Sequence, residues 1–165
     1  TILAAEMALA RVPGVVLGEA VAHALTRMQQ PLGPAAAILT AHAHAMTDVT
    51  GFGLAGHLLE ILQASRVAAR LHMDAIPVLP GALALAAAGY ASTLTPANRA
   101  AVATYLAAPD SALAALIVDP QTAGGLLAAV PGDQAEGLLA RLRAAGEDAA
   151  IIGHVTSGAA RITAA

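Results

Sequence analysis

Apolar positions along this chain recur at helical spacing in some stretches and cluster in short runs elsewhere, with proline and glycine between them. Residues 2–11 and 18–29 read as alanine-rich helices. Leu3, Met7 and Ala10 share one face of the first, and Val21, Leu25 and Met28 one face of the second. Pro13 and Gly14 separate the two, and Pro31 with Pro34 closes the second. A third helix is predicted over 35–43, running into a strand at 46–49. After glycines at 51, 53 and 56, the run Leu54, Leu58, Leu59, Ile61, Leu62 makes 52–65 the most regular helix of the chain. Beyond it the pattern predicts a strand at 67–73, a turn opened by Asp74, a short helix at 81–88 ended by Gly89, and a helix at 98–107. Strands are predicted at 115–119 and 126–130, on either side of a turn containing Gly124 and Gly125. An amphipathic helix at 134–145 ended by Gly146, a strand at 149–155 and a short strand at 161–163 complete the chain. Helices and strands mix without strict alternation, and the late part reads strand, turn, strand, helix, strand. That order predicts an α+β domain, a mainly antiparallel sheet covered by helices.

Composition sharpens this picture. The 165 residues are one domain's worth of chain, 58% hydrophobic and only 12% charged, which excludes a disordered segment and leaves little spare polar surface. An apolar face turned toward a partner domain is expected, with Leu3, Met7, Leu25 and Met28 as contributors and self-association of the isolated chain as its consequence. A formal net charge of −3 and 2% aromatics provide neither a basic footprint nor stacking platforms, so nucleic acid is excluded as a partner. Cysteine is absent, which removes disulfides, thiolate metal sites and a cysteine nucleophile. All eight basic residues are arginines, so a phosphate-binding or Schiff-base lysine is absent too. Any catalytic assembly must draw such groups from elsewhere. The longest uncharged stretch, 75–98, is broken by Pro77, Pro80, Gly81, Gly89 and Pro96, so no membrane span is expected. The first residues carry Glu6 and no positive n-region, unlike a signal peptide, and the cytoplasm is the expected location.

The candidate chemistry gathers in MTDVTGFGLAGHLL, residues 46–59. Asp48 stands between Thr47 and Thr50 at a strand-to-helix junction rich in glycine. Glycines there let backbone N–H groups approach an anion, and the following helix adds its positive end. A carboxylate at the mouth of such a turn suits a hard cation such as Mg²⁺ held against the anion's oxygens. Asp48 is therefore the candidate metal ligand, and Thr50, Gly51 and Gly53 the candidate phosphate contacts. The plainer alternative is a helix start, with Thr50 as N-cap and Asp48 supporting the helix dipole. A second segment, Asp119-Pro120-Gln121-Thr122-Ala123-Gly124-Gly125, reads as a backbone nest for an anion or as a tight turn. His42, His44 and Asp48, with His57, offer a further alternative of the H-x-H metal type. That one requires an extended segment where the pattern shows a helical run.

Four blocks carry a family resemblance: HAMTDVTGFGLAGHLLE (44–60), IPVLPGALALAAAGY (76–90), VDPQTAGGLLAAVP (118–131) and IIGHV (151–155). In order and spacing they resemble the C-terminal half of selenophosphate synthetase, or selenide, water dikinase, over about residues 1–158. TDVTGFG and DPQT-x-GGLL are specific to that family, and looser forms of the first occur in aminoimidazole ribonucleotide synthetase and thiamine monophosphate kinase. The resemblance implies that residues 1–165 form a single C-terminal domain, with an N-terminal ATP-binding domain not included. It implies a dimeric enzyme that turns selenide, ATP and water into selenophosphate, AMP and phosphate with Mg²⁺. It assigns no catalytic residue to this half and matches Asp48 to a Mg²⁺ ligand at the ATP phosphates. Ala123 stands where the family usually has serine, and 92–98 lacks the usual double-glycine turn. A related ATP-dependent synthetase or kinase, and a non-catalytic anion- or partner-binding module, are the other readings.

Overall fold

The computed structural model describes residues 18–165; the helix predicted over 2–11, with Leu3 and Met7, lies outside the described residues. Helix α1, Gly18–Met28, buries Ala20 and Ala24 and leaves Leu25 48% exposed, with Met28 half-buried. Helix α2, Gly33–Leu39, has Pro34 in its first turn, where a missing N–H leaves no helical bond unmade. Then follow β1 (Ala45–Asp48), α3 (Gly53–Ser65), β2 (Val67–Leu71), a 3₁₀ turn at Met73–Ala75, α4 (Ala82–Ala87), α5 (Thr95–Val102) and β3 (Leu106–Ala107). The chain closes with α6 (Ala112–Leu116), β4 (Leu126–Ala129), α7 (Ala135–Ala144), β5 (Gly153–Ser157) and β6 (Ile162–Ala164).

The strands form two sheets. β1 and β4 pair antiparallel, with Asp48 opposite Leu126, and the others form a four-stranded sheet in the order β3-β6-β2-β5. In that sheet β2–β5 is antiparallel, while β2–β6 and β3–β6 are parallel. The fold is the predicted α+β class; its four-stranded sheet is mixed, and the longer ladders are antiparallel.

Among the described residues two apolar clusters follow from these layers. α3 presents Ala55, Leu58, Leu59 and Leu62, spaced three and four apart, to Ala69 and Leu71 of β2 and Ile162 of β6; Val102 and Ile117 close this core. The smaller cluster lies on the two-stranded sheet, where Ala35 and Leu39 of α2 and Leu142 of α7 cover Met46, Leu126 and Ala128. Met46, Leu126 and Ala128 of β1 and β4 pack on the second cluster, whereas Leu127 of β4 packs against the first, to which α3 belongs. The glycine turn at 49–53 links β1 to α3.

Three predicted elements are corrected. Residues 115–119 do not form a strand: 112–116 is helix α6, capped by Ser111, whose hydroxyl accepts the Ala114 N–H at 3.1 Å. A five-residue apolar run carries no period that separates strand from buried helix, and alanine favours the helix. The helix predicted over 98–107 begins earlier, at Thr95, with Pro96 in its first turn. It ends at Val102, because Leu106 and Ala107 leave to pair with β6. The strand predicted over 149–155 begins only at Gly153, since Ala149 packs on the smaller cluster before the chain crosses to the large sheet.

At the end of α3, Arg66 adopts the left-handed conformation (φ 56°, ψ 45°), and its N–H reaches the Leu62 and Gln63 carbonyls. A side chain there meets the carbonyl crowding that glycine avoids. Arg66→Gly is expected to raise the unfolding free energy by about 1 kcal/mol. A higher urea midpoint with unchanged slope is the measurement that checks it.

Candidate functional site

β1 carries the chain into the site. At its end Asp48 is exposed, and its carboxylate makes no hydrogen bond or ion pair with any described residue. Val49 turns inward, and its N–H donates to the Gly125 carbonyl at 2.9 Å, extending the β1–β4 ladder. The Thr50 carbonyl accepts from the Gln121 N–H at 2.9 Å and from the Gly53 N–H at 3.0 Å. The two motif segments are thus one structure, a double loop in which 48–53 lies along 117–125.

Two glycines make that contact possible. Gly53 has φ +70°, and a Cβ there would lie 2.9 Å from the carbonyl oxygens of Ile117 and Asp119 and from the Val118 carbonyl carbon. A Cβ on Gly124 would overlap the Val49 carbonyl. Side chains of α5 tie the double loop from beneath. Buried Asn98 donates one Nδ2–H to the Gly51 carbonyl at 2.8 Å and the other to the Val118 carbonyl at 3.0 Å. Thr95 Oγ1 donates to Asp119 Oδ1 at 3.1 Å, both side chains buried. On the α3 side, Thr50 Oγ1 lies 3.1 Å from His57 Nε2, and His57 Nδ1 lies 3.0 Å from Glu60 Oε2. The exposed Phe52 ring stands over His57, with centroids 5.3 Å apart.

The candidate site residues Asp48, Thr50, Gly51 and Gly53 therefore fall in one turn. Gly53 is buried with its N–H committed to the Thr50 carbonyl, whereas Gly51 is exposed. The helix-start alternative loses its cap: Phe52 occupies the N-cap position without a side-chain bond, and the Thr50 hydroxyl goes to His57 instead. The H-x-H alternative is not assembled either. His42 is engaged by Gln134 Oε1 at 2.8 Å and by Arg141 Nη1 at 3.3 Å. Among the described residues no group of three or more His, Cys, Asp or Glu could hold a metal ion. The donor set fits a hard cation only as one contributor to a shared site, which is how Mg²⁺ is often held, by one or two carboxylates and the substrate's own phosphates.

The pattern that defines the C-terminal domain of AIR synthase related proteins matches residues 4–163. The chain belongs to that family. Members with curated names place it further. It is 39% identical over 144 residues to a selenide, water dikinase of Burkholderia orbicola (strain MC0-3), covering 85% of this chain and 40% of that protein. It is 43% identical over 118 residues to a selenide, water dikinase of Myxococcus xanthus (strain DK1622), covering 70% of this chain and 34% of that protein. The AIR synthase related domain thus spans well under half the length of these relatives. Among solved structures, E. coli HypE, a hydrogenase maturation protein, shares the fold at a TM-score of 0.53 and 24% identity, over 80% of this chain and 35% of that one. No helix among the described residues is long and apolar enough to cross a membrane.

Asn98 and Thr95, which hold the double loop, were not legible as site residues, because their partners are 20 or more residues away. The His57–Glu60 pair did carry a signal, an i, i+3 spacing on a strongly patterned helix.

Asn98 offers two donors to two carbonyls, an arrangement no carboxylate can replace. Asn98→Asp is expected to cost about 3 kcal/mol or more, and Asn98→Ala about 2 kcal/mol, since aspartate faces both carbonyl oxygens with like partial charge. Urea unfolding of the two variants side by side gives the order.

Proposed function

We propose that this chain is the C-terminal half of an ATP-dependent selenophosphate synthetase, which converts selenide, ATP and water to selenophosphate, AMP and phosphate. The observation that carries the reading is the double loop itself. It brings the TDVTGFG and DPQTAGG segments together and leaves one unpartnered carboxylate, Asp48, on their exposed rim. Identity near 40% to proteins named selenide, water dikinase supports it.

In this reading Asp48 supplies one carboxylate to Mg²⁺ at the ATP polyphosphate, and the exposed Gly51 amide and Thr50 face the phosphate side of the turn. The cation, when bound, neutralises phosphate charge during transfer. The buried ties through Asn98, Thr95 and Gly53 keep the carboxylate in place, so that little reorganisation accompanies the reaction. The nucleophile, the catalytic lysine and most of the ATP contacts belong to an N-terminal domain of the same polypeptide. That polypeptide works as a cytoplasmic homodimer. The exposed Leu25 of α1 contributes to the face on which the other half packs.

In the full-length protein Asp48→Asn is expected to lower turnover at least about 100-fold, the scale of losing one preorganised charge partner. The unfolding midpoint should stay unchanged, because Asp48 has no side-chain partner among the described residues. Near-normal AMP production by that variant would rule out the metal role. Residues 1–165 alone, without lysine or cysteine, are expected to form no AMP from ATP and selenide. A chromatographic assay for AMP on the purified chain checks it, and detectable selenide-dependent AMP would overturn the division of labour between the halves.

A further inference from the structure

Strand β5 lies at one edge of the four-stranded sheet and pairs with β2. In that ladder His154 stands opposite Arg70 and Gly153 opposite Leu71. His72, just past β2, is still extended (φ −94°, ψ 101°), and its N–H continues the ladder to the Ile152 carbonyl at 2.9 Å. Residues two apart on a strand share a face, as do residues opposite one another across an antiparallel pair. Arg70, His72 and His154 therefore stand on one side of the sheet, away from Ala69, Leu71 and Ile162, which face the large core. All three are exposed. Far apart in the sequence, the two histidines become diagonal neighbours on a hydrogen-bonded ladder.

Their imidazole rings have centroids 5.4 Å apart and planes inclined at 40°. Neither ring is engaged in a hydrogen bond or ion pair with a described residue, so their nitrogens are available to a ligand. The spacing matches what a shared ion requires. Zinc holds an imidazole nitrogen at about 2.0–2.1 Å, which puts each ring centre about 3.2 Å from the ion; two rings at a tetrahedral angle then have centres about 5.2 Å apart. The donor type selects the ion. Imidazole suits Zn²⁺, Cu²⁺ and Ni²⁺, whereas Mg²⁺ takes oxygen ligands. Arg70, directly opposite His154, sets a positive charge beside the pair and opposes a cation there.

We propose that His72 and His154 form a two-imidazole site for a borderline divalent cation such as Zn²⁺, with water in the remaining positions. The ion would tie the edge strand β5 to the end of β2. Structural zinc sites use four protein ligands, so a site with two holds its ion less tightly and exchanges it. It shares no residue with the turn around Asp48, and its test does not depend on the function proposed above.

The test uses the full-length protein and Zn²⁺ as the probe, with modification of each histidine by diethyl pyrocarbonate read by peptide mass spectrometry. Zn²⁺ should protect His72 and His154 together, at one half-protection concentration, while the exposed His23 keeps its reactivity. Mg²⁺ at the same concentration should protect neither. His72→Ala should raise the Zn²⁺ needed to protect His154 at least about tenfold, and His154→Ala should do the same for His72, since each variant leaves a single imidazole. Arg70→Gln should lower the Zn²⁺ needed by roughly threefold, because a repelling charge is removed. Protection of His154 at an unchanged Zn²⁺ concentration in His72→Ala would sink the shared site. So would the lack of protection of both rings in the unaltered protein, or protection of His23 along with them, which marks general adsorption of zinc.

Discussion

At the start of α3 the backbone has no room for a side chain. Gly53 sits at φ +70° against the main chain of residues 117–119, with a virtual Cβ 2.9 Å from three of its atoms. Because the residue is glycine, α3 can begin directly on top of the segment that follows α6, and the Ala55 N–H can bond the Ile117 carbonyl at 2.8 Å. The rest of the site depends on that approach. It sets the depth at which α3 enters the large core, and it brings the turn after β1 into contact with the loop before β4.

Below this contact the double loop is held by buried polar groups, and above it the rim is open. Asn98, Thr95 and Asp119 are each under a tenth exposed, and Thr95 bonds Asp119 while Asn98 bonds two main-chain carbonyls, across separations of 20 residues or more. Each such bond contributes about 1 kcal/mol net, but leaving one partner unpaired in the interior costs more. The network therefore selects one loop arrangement more than it adds stability. Asp48, one residue beyond the reach of these ties, stays in water with its charge uncompensated by the described residues.

With no lysine and no cysteine, the chain has arginine as its single strong cation and no thiolate to offer. The family assignment covers residues 4–163, and the chain spans well under half the length of the relatives it matches. The strand pair carrying Asp48 lies between the two clusters, with Met46, Leu126 and Ala128 on the smaller one and Leu127 against the core that α3 enters.

Local pattern by itself determined the strongly periodic elements and the place of the candidate chemistry. The α3 helix, the β1 and β4 strands, the glycine turn and Asp48 all follow from residues close in sequence, because helical spacing and glycine punctuation are local properties. The same pattern misread 115–119, where an apolar run without a period became a capped helix and a buried tail, and it missed β3, whose two residues are strand only through pairing with β6. Tertiary structure alone decided that the two motif segments touch, that Asn98 and Thr95 hold them, and that the Thr50 hydroxyl is engaged by His57 rather than capping a helix. Those outcomes depend on backbone groups brought together across tens of residues. A hydrogen bond of that kind leaves no spacing in the sequence, since its partners are chosen by the packing of two cores and not by the period of either one.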